Sequence, residues 1–343
     1  MALGLEDAIG EKLSRGVITA PSFPRLDSNR WEIFAGGHPL PNEASLAAAQ
    51  SAFALLDEAN DERGVVIFLV SGGGSAMIEW PNSPDVTLDD LRRANELLVG
   101  CGARINEINA VRRAFSAVKG GALARRAPNA RIVTLIVSDT NPGDEASVAS
   151  GPTLFTDGPN PLDVIRRYDL DLPISDLKST SPVITPYRVI LDNSTALQAA
   201  QQKAIDLGLN SMIAWDIREQ PIQEGCDLLL AQNADCVISG GEFSCPVRGD
   251  GRGGRNLETV LRLALAESNV VALSAGTDGI DGNSPAAGAI ADESTITRAR
   301  NLGLDPTEYL DRSDSYTFFE TLGDLIVTGP TGTNVRDLRI LIR

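Results

Sequence analysis

Residues 64–76 read GVVIFLVSGGGSA, and this stretch sets the fold class. GVVIFLV is an unbroken apolar run of strand length. A strand with one wet face alternates apolar and polar residues, so a continuous run marks a strand buried on both faces. It passes straight into three glycines between serines. The same order of events recurs along the chain. RIVTLIV (131–137) leads into SDTNPGD, CVIS (236–239) into GGE, VVALSA (270–275) into GTDGIDG, and LIV (325–327) into TGPTGTN.

The segments between these runs have helical periodicity. They include SLAAAQSAFALLDEA (45–59), INEINAVRRAFSAVKGG (105–121), PLDVIRRYDL (161–170), STALQAAQQKAIDLG (194–208) and NLETVLRLALAES (256–268). TLDDLRRANELLVGCG (87–102) opens on a threonine with an acidic residue three places later, a capping-box signature, and ends in glycine. GVITAP (16–21), WEIFAGG (31–37), YRVILDN (187–193) and SMIAWDI (211–217) read as further strands. Strands alternating with helices imply mainly parallel sheets covered on both faces, an α/β protein of three-layer domains. Such sheets bind ligands beyond the carboxyl ends of their strands, where the glycine- and aspartate-rich loops fall. That coincidence points to an enzyme. Residues 171–186 carry three prolines and no periodicity, which predicts a junction between domains 1–178 and 186–343.

The chain has 343 residues and a formal net charge of −16. A nucleic-acid binder needs a basic footprint, so that class is excluded. No run of 18 apolar residues exists for a membrane span, and the start lacks a secretory signal. The four cysteines form no CxxC pair and only one histidine, His38, is present, which argues against zinc and predicts a cytoplasmic protein with reduced thiols. His38, in GGHPLP, is read as structural or at a substrate's edge rather than as a catalytic base.

The loops suggest phosphate chemistry. Ser71, Gly72, Gly73, Gly74 and Ser75 offer backbone N–H groups with little side chain in the way, as an oxyanion cradle requires; a flexible turn would use the same residues. No Walker A sequence exists. On a helix from 105 to 120, Ile105, Ile108, Val111, Phe115 and Val118 form an apolar stripe. Asn109, Arg112, Ser116 and Lys119 would form a polar one beside it, lining a cleft or simply facing solvent. Asp139, Asp144, Asp278 and Asp281 lie in strand-end loops. Carboxylates there suit Mg²⁺ shared with substrate phosphates, though each alone also suits an Asx turn or a cap; Glu242 is similar.

GDGRGGRN (249–256) satisfies G-x-G-x-x-G and precedes a helix. A dinucleotide finger keeps its intervening residues small, whereas here Asp250, Arg252 and Arg255 intervene. Asp250 would repel a diphosphate, while Arg255 and Asn256 at a helix start would grip one. Phosphoryl transfer is favoured over NAD binding.

Together, SGGGSA, INEINAVRRAFSAVKGGALA, the 138–153 loop, SGGEFSCPVRGDGRGGRNLE, GTDGIDG and TGPTGTNVRDL resemble, in order and over nearly the whole chain, the glycerate kinase family with the MOFRL C-terminal domain. The resemblance implies a Rossmann-like N-terminal domain, a C-terminal α/β domain with the MOFRL region at about 235–341, and an active site in the cleft between them. It implies phosphorylation of D-glycerate to 2-phosphoglycerate with ATP and Mg²⁺. Arg255 and Lys119 take the catalytic places in it. Residues 71–75, Arg112, Gly253, Gly254, Asn256, Thr331, Thr333 and Asn334 become substrate- or phosphate-binding, and Asp139, Asp278 and Asp281 metal-binding. A homodimer is left open. The sequence departs from the family in three places. It starts just after the family's G-K-A-A-x-x-M segment, whose lysine and preceding strand are therefore expected to be missing. The 138–153 loop is irregular, and Leu257 stands where relatives carry glutamine. Rival readings are an NAD(P)H-dependent hydroxypyruvate reductase and a binding protein without chemistry.

Overall fold

The computed structural model describes residues 1–20, 29–155, 157–172 and 185–343. The predicted junction at 171–186 lies mostly outside the described residues. The chain divides into two compact units, one of Met1–Ile136 with Pro142–Ile190, the other of Val137–Asn141 with Leu191–Arg343.

The first unit opens with α1 (Ala2–Ile9), β1 (Gly16–Ala20) and β2 (Trp31–Ala35). There follow α2 (Glu43–Asp61), β3 (Val65–Ser71), the one-turn α3 (Gly74–Met77), α4 (Leu88–Gly100), α5 (Ile105–Phe115), α6 (Ala122–Arg126), β4 (Arg131–Val137), α7 (Pro161–Arg167) and β5 (Tyr187–Leu191). β1 and β2 pair in parallel. β3, β4 and β5 form a separate three-stranded sheet. Thr134 N–H donates to Pro186 and Ser138 N–H to Leu191, so β4 and β5 advance in the same direction. The sequence starts its helices by side-chain caps: Asn42 with Ser45 for α2 and Thr87 with Asp90 for α4 are both reciprocal capping boxes. Leu91, Leu98, Val111, Phe115, Val164 and Ile165 pack α4, α5 and α7 into one core.

α5 is shorter than its periodicity predicts. It ends at Phe115, and Ser116 is extended. Ser116 pairs with Pro81 in an isolated bridge, and its hydroxyl accepts from the N–H groups of Val118 and Lys119. That local turn replaces the last helical hydrogen bonds. The expected polar stripe is therefore broken: Asn109 and Arg112 are on the helix, whereas Ser116 and Lys119 are beyond it. Ile105, placed on the apolar stripe, is 64% exposed.

The second unit contains α8 (Asn193–Asp206), β6 (Ser211–Ile213), α9 (Ile222–Leu230), β7 (Cys236–Gly241), α10 (Arg255–Ala266), β8 (Val271–Gly276), β9 (Gly288–Ala291), α11 (Thr295–Asn301), α12 (Pro306–Asp311), α13 (Ser315–Leu322), β10 (Leu325–Ile326) and β11 (Asp337–Ile342). One six-stranded sheet runs β10-β9-β8-β11-β7-β6. β6 and β7 are parallel; β11 is antiparallel to both β7 and β8, β9 to β8, and β10 to β9. Thus β6, β7, β8 and β10 share one direction, and β9 and β11 oppose it. The α/β expectation holds. The reversals arise because β8 reaches β9 through the short 277–287 loop, too short for a helical crossover, and because β11 is threaded between two strands already parallel. Every residue of β7 is buried, as its apolar run predicts. α10 buries Leu257, Val260 and Leu261 against Phe318 and Phe319. No helix among the described residues is long and apolar enough to cross a membrane.

Candidate active site

In the second unit, the 249–254 loop delivers Arg255 and Asn256 to the first turn of α10. Gly254 sits where a Cβ would lie 2.4 Å from the Asp281 carboxylate, so only glycine lets the helix start so close to that side chain. Asp281 is 2% exposed and accepts from the N–H groups of Asn256 (3.1 Å) and Leu257 (2.9 Å) and from Asn256 Nδ2 (3.2 Å). It satisfies the first donors of α10 from a distant loop. Burial pushes its pKa up to about 6 despite these donors. Both oxygens of Asp281, expected to bind metal, here accept from the start of α10.

Arg255 lies side-on to Asp337, with Nε to Oδ2 at 2.6 Å and Nη2 to Oδ1 at 2.9 Å, and Nη2 also meets Glu242 Oε1 at 3.0 Å. Asp337 is wholly buried at the start of β11. Asn256 Nδ2 also donates to it (3.0 Å), and Asn256 Oδ1 accepts from Ser274 Oγ (2.6 Å). Its hydrogen bonds to a buried carboxylate, with the negative charges around it, overcome burial and raise the Arg255 pKa above its ordinary value. One edge of the guanidinium is thereby fixed, and Nη1 has no partner among the described residues while the side chain is one-third exposed. Such a half-anchored, fork-shaped cation is suited to accept an anion.

Two carboxylates beside it lack full compensation. Burial, with repulsion from Asp337 and Asp139, raises the Glu242 pKa, although Arg255 pulls it down. Asp139, at the carboxyl end of β4, is raised by burial against the pull of Arg336. Arg336 is 6% exposed, has a left-handed φ of 72°, and binds Asn141 Oδ1 and Glu219 Oε1, each at 2.6 Å. Its Nε is left without an acceptor among the described residues. Asp278 caps its own loop by accepting from Ile280 N–H (3.1 Å). No group of three His, Cys, Asp or Glu side chains among the described residues is placed to hold a metal ion, so Asp139, Asp278 and Asp281 are not gathered into one cage.

The 328–334 loop is knitted to the 276–282 loop. Thr331 N–H donates to Asp278 O (3.0 Å) and Thr331 Oγ1 to Thr277 O (2.6 Å). A Cβ on Gly279, whose φ is +90°, would lie 2.0 Å from Gly329 O. Asn334 Oδ1 accepts from Arg336 N–H (2.8 Å), and Thr333 N–H donates weakly to Thr331 Oγ1 (3.4 Å). Thr331 and Asn334, expected on a ligand, thus tie down the loop that positions Arg336 and Asp337. Gly253 N–H donates to Asn283 Oδ1 (2.8 Å).

In the first unit, β3 ends at Ser71, and Gly73 turns the chain with φ 79° into α3. Ser75 Oγ is 2.8 Å from Ser150 Oγ. Ala149, Ser150 and Gly151 are consecutive left-handed residues, with φ of 51°, 59° and 63°. Two non-glycine residues in that region cost energy and persist only where the surroundings hold them. Here the carbonyls of Ser150, Gly151 and Pro152 accept from Gly120, Gly121 and Leu123. The 71–75 turn, the 149–152 turn and the KGG turn therefore form one cluster. The His38 ring lies alongside it, 3.6 Å from where a Gly73 Cβ would be.

Lys119 differs from its expected role. Its ammonium is ion-paired with Glu79, and both side chains are 3% exposed. Glu79 also accepts from Ser116 Oγ and from Trp80 N–H (3.0 Å). Burial, and to a lesser degree Arg112, lowers the Lys119 pKa, while Glu79 raises it. Arg112 Nε donates to Asn95 Oδ1 (2.7 Å). Lys119 is enclosed as the counter-ion of Glu79. Glu79, Ser150, Asp337 and Arg336 were not singled out by the sequence. Only Asp337 carried a signal, as an acidic residue on the inward positions of an alternating strand.

Comparison with known proteins gives the chain's relatives. The family described as a domain of unknown function (DUF4147) matches residues 1–178, and the MOFRL family matches residues 235–337. A D-glycerate 2-kinase from Thermotoga maritima is 33% identical, over 99% of this chain and 87% of that protein. A glycerate 2-kinase from Pyrococcus horikoshii is 31% identical, over 100% of this chain and 84% of that protein. A protein from Agrobacterium vitis, named provisionally as a hydroxypyruvate reductase, is 38% identical over 100% of this chain and 84% of its own length. The crystal structure of a Thermotoga maritima glycerate kinase superposes with a TM-score of 0.90 over 100% of this chain and 88% of that one, at 32% identity.

Proposed function

The chain belongs to the glycerate kinase family with a MOFRL C-terminal domain, and from that premise we propose that it transfers the terminal phosphoryl group of ATP to D-glycerate, forming 2-phosphoglycerate. The observation that carries this reading is the Arg255 fork, anchored side-on by buried Asp337 with its Nη1 edge open. Phosphoryl transfer needs little covalent help from a protein; it needs fixed positive groups where charge spreads over the transferring oxygens. A guanidinium held on one edge meets that need without reorganising. Asp337 and Asn256 position it. In the first unit, the 71–75 turn is a proposed anion seat, through backbone N–H groups.

Mg²⁺ fits this site on the chemistry of two donors. Asp139 and Glu242 are partly buried carboxylates whose pKa values burial raises, and repulsion between them adds to the shift at Glu242, so a cation would relieve both. Mg²⁺ needs only one or two protein carboxylates when phosphates complete its shell, and there it would neutralise charge on the bridging oxygens.

The reductase name among the relatives favours a second reading, NAD(P)H-dependent reduction of hydroxypyruvate. The 249–254 loop speaks against it. Arg252 stacks over the Tyr316 ring at 4.4 Å, and the backbone N–H groups of Gly253 and Arg252 are bonded to Asn283 and Asp314. A dinucleotide finger must leave those N–H groups for the pyrophosphate. The test runs both assays on one preparation. ATP consumption with D-glycerate and no hydroxypyruvate-dependent loss of NAD(P)H absorbance supports the kinase; the opposite pair of results overturns it.

A further inference from the structure

An open surface depression of about 420 Å³ in the second unit is lined by Asn141, Asp216, Arg218, Glu219 and Gln220. It lies at the carboxyl ends of the parallel strands β6 and β7, where such sheets take ligands. We propose that it receives the nucleoside end of a nucleoside triphosphate, with the ribose hydroxyls donating to Glu219 and Asp216. This rests on the kinase reading and deepens it by assigning the donor's sugar.

The lining selects the ligand by its hydrogen-bonding groups. Asp216 and Glu219 offer carboxylate acceptors, balanced by Arg218 and by Arg336 paired to Glu219, so the group they favour is rich in hydroxyl donors. Glu219 is prepared for this. Its Oε1 accepts from buried Arg336 (2.6 Å) and from Asn141 Nδ2 (2.8 Å). Its Oε2 has no partner among the described residues, and the side chain is half exposed. A carboxylate fixed through one oxygen, with the other open, is the usual device for a ribose diol. Arg336 buries a guanidinium with an unsatisfied Nε to hold it there, a cost that structures keep where a site requires it. Trp215, outside this lining but adjacent in the chain to Asp216, is 41% exposed and is the aromatic side chain proposed to meet the base. The phosphates have a route onward. A Cβ on Gly241 would lie 2.6 Å from Arg218 O, so the depression's loop packs directly on the residue before Glu242, the neighbour of Arg255.

The experiment titrates the full chain with ADP and with 2′,3′-dideoxy-ADP by calorimetry, for the wild type and for Glu219→Gln, Asp216→Asn and Trp215→Ala. The wild type should bind ADP about tenfold or more tighter than the dideoxy analogue, as expected for hydrogen bonds to a charged acceptor. Glu219→Gln should abolish most of that preference while binding the dideoxy compound as the wild type does, and Trp215→Ala should weaken both nucleotides alike. If every variant keeps the wild-type preference, the nucleoside lies elsewhere, and turnover with ATP and D-glycerate still stands for the kinase. If the wild type binds no ADP, the kinase reading and this assignment fall together.

Discussion

Removing the Glu79 carboxylate should destabilise the first unit more than removing the whole Glu79–Lys119 pair. Both side chains are 3% exposed, so Glu79→Gln leaves an ammonium buried without its counter-charge. Breaking a buried pair from one side costs about 3–5 kcal/mol, a large part of a typical domain's stability of about 5–15 kcal/mol. Glu79→Met with Lys119→Met removes both charges and should cost less than either single change. A residual of about 1–3 kcal/mol remains because Ser116 Oγ and Trp80 N–H lose their acceptor. Urea unfolding followed by tryptophan emission measures this. In a Trp215→Phe background the remaining tryptophans, Trp31 and Trp80, both report the first unit. The pH dependence has a definite sign. Burial already lowers the Lys119 pKa, and losing Glu79 lowers it further. Between that value and the unfolded lysine's ~10.4, the unfolded chain binds the extra proton, so stability rises with pH. The Glu79→Gln deficit should therefore shrink from pH 7 to pH 10. Additive costs in the double variant, or a Glu79→Gln cost under about 1 kcal/mol, would refute the reasoning.

Arg255→Lys keeps the charge but loses the side-on pair with Asp337, and turnover should drop about 10²–10³-fold, as for loss of one transition-state donor; unchanged kcat would remove Arg255 from the chemistry. Asp281 has its pKa pushed up to about 6, above the unfolded ~3.9, so the stability it contributes is present below about pH 4 and lost as pH rises through about 6. That loss is about 3 kcal/mol at ~1.4 kcal/mol per pKa unit, and urea midpoints of Asp281→Asn should lack this fall across pH 4–7. Gly279→Ala puts a side chain on a backbone with φ +90° and 2.0 Å from Gly329 O, so the second unit should lose more than about 1 kcal/mol in the same assay; a neutral result would mean that the loop is held less tightly than its hydrogen bonds imply.

The fold was legible where one signal acted alone. CVISGG became a strand buried throughout and Thr87 with Asp90 became the predicted capping box, whereas the GVVIFLV run became β3, in which Val70 alone is buried and Val65 is 64% exposed. Reading failed where tertiary contacts overrode the local pattern. The 105–120 periodicity continues past Phe115, but Ser116 finds Glu79 and Pro81 and leaves the helix. α9 and the small helices α11 to α13 were missed because they run only nine, seven, six and eight residues, too few turns for a helical period to show. The strand reversals at β9 and β11 depend on pairings between residues far apart in sequence, such as Asp337 with Gly241 and Gly276, which no local pattern encodes. At the candidate site, residue types pointed to the glycine- and aspartate-rich loops at the strand ends. They did not show which carboxylates are occupied. Asp281 and Asp139 look alike in sequence, and only the packing of α10 separates a helix cap from an uncompensated carboxylate.

The measurement that tests the central claim most directly is ³¹P NMR of the chain incubated with ATP, Mg²⁺ and D-glycerate. The account predicts growth of ADP and of the 2-phosphoglycerate resonance, in equal amounts and dependent on the enzyme. A folded sample that leaves ATP unchanged, or that forms only the 3-phospho isomer, would contradict it.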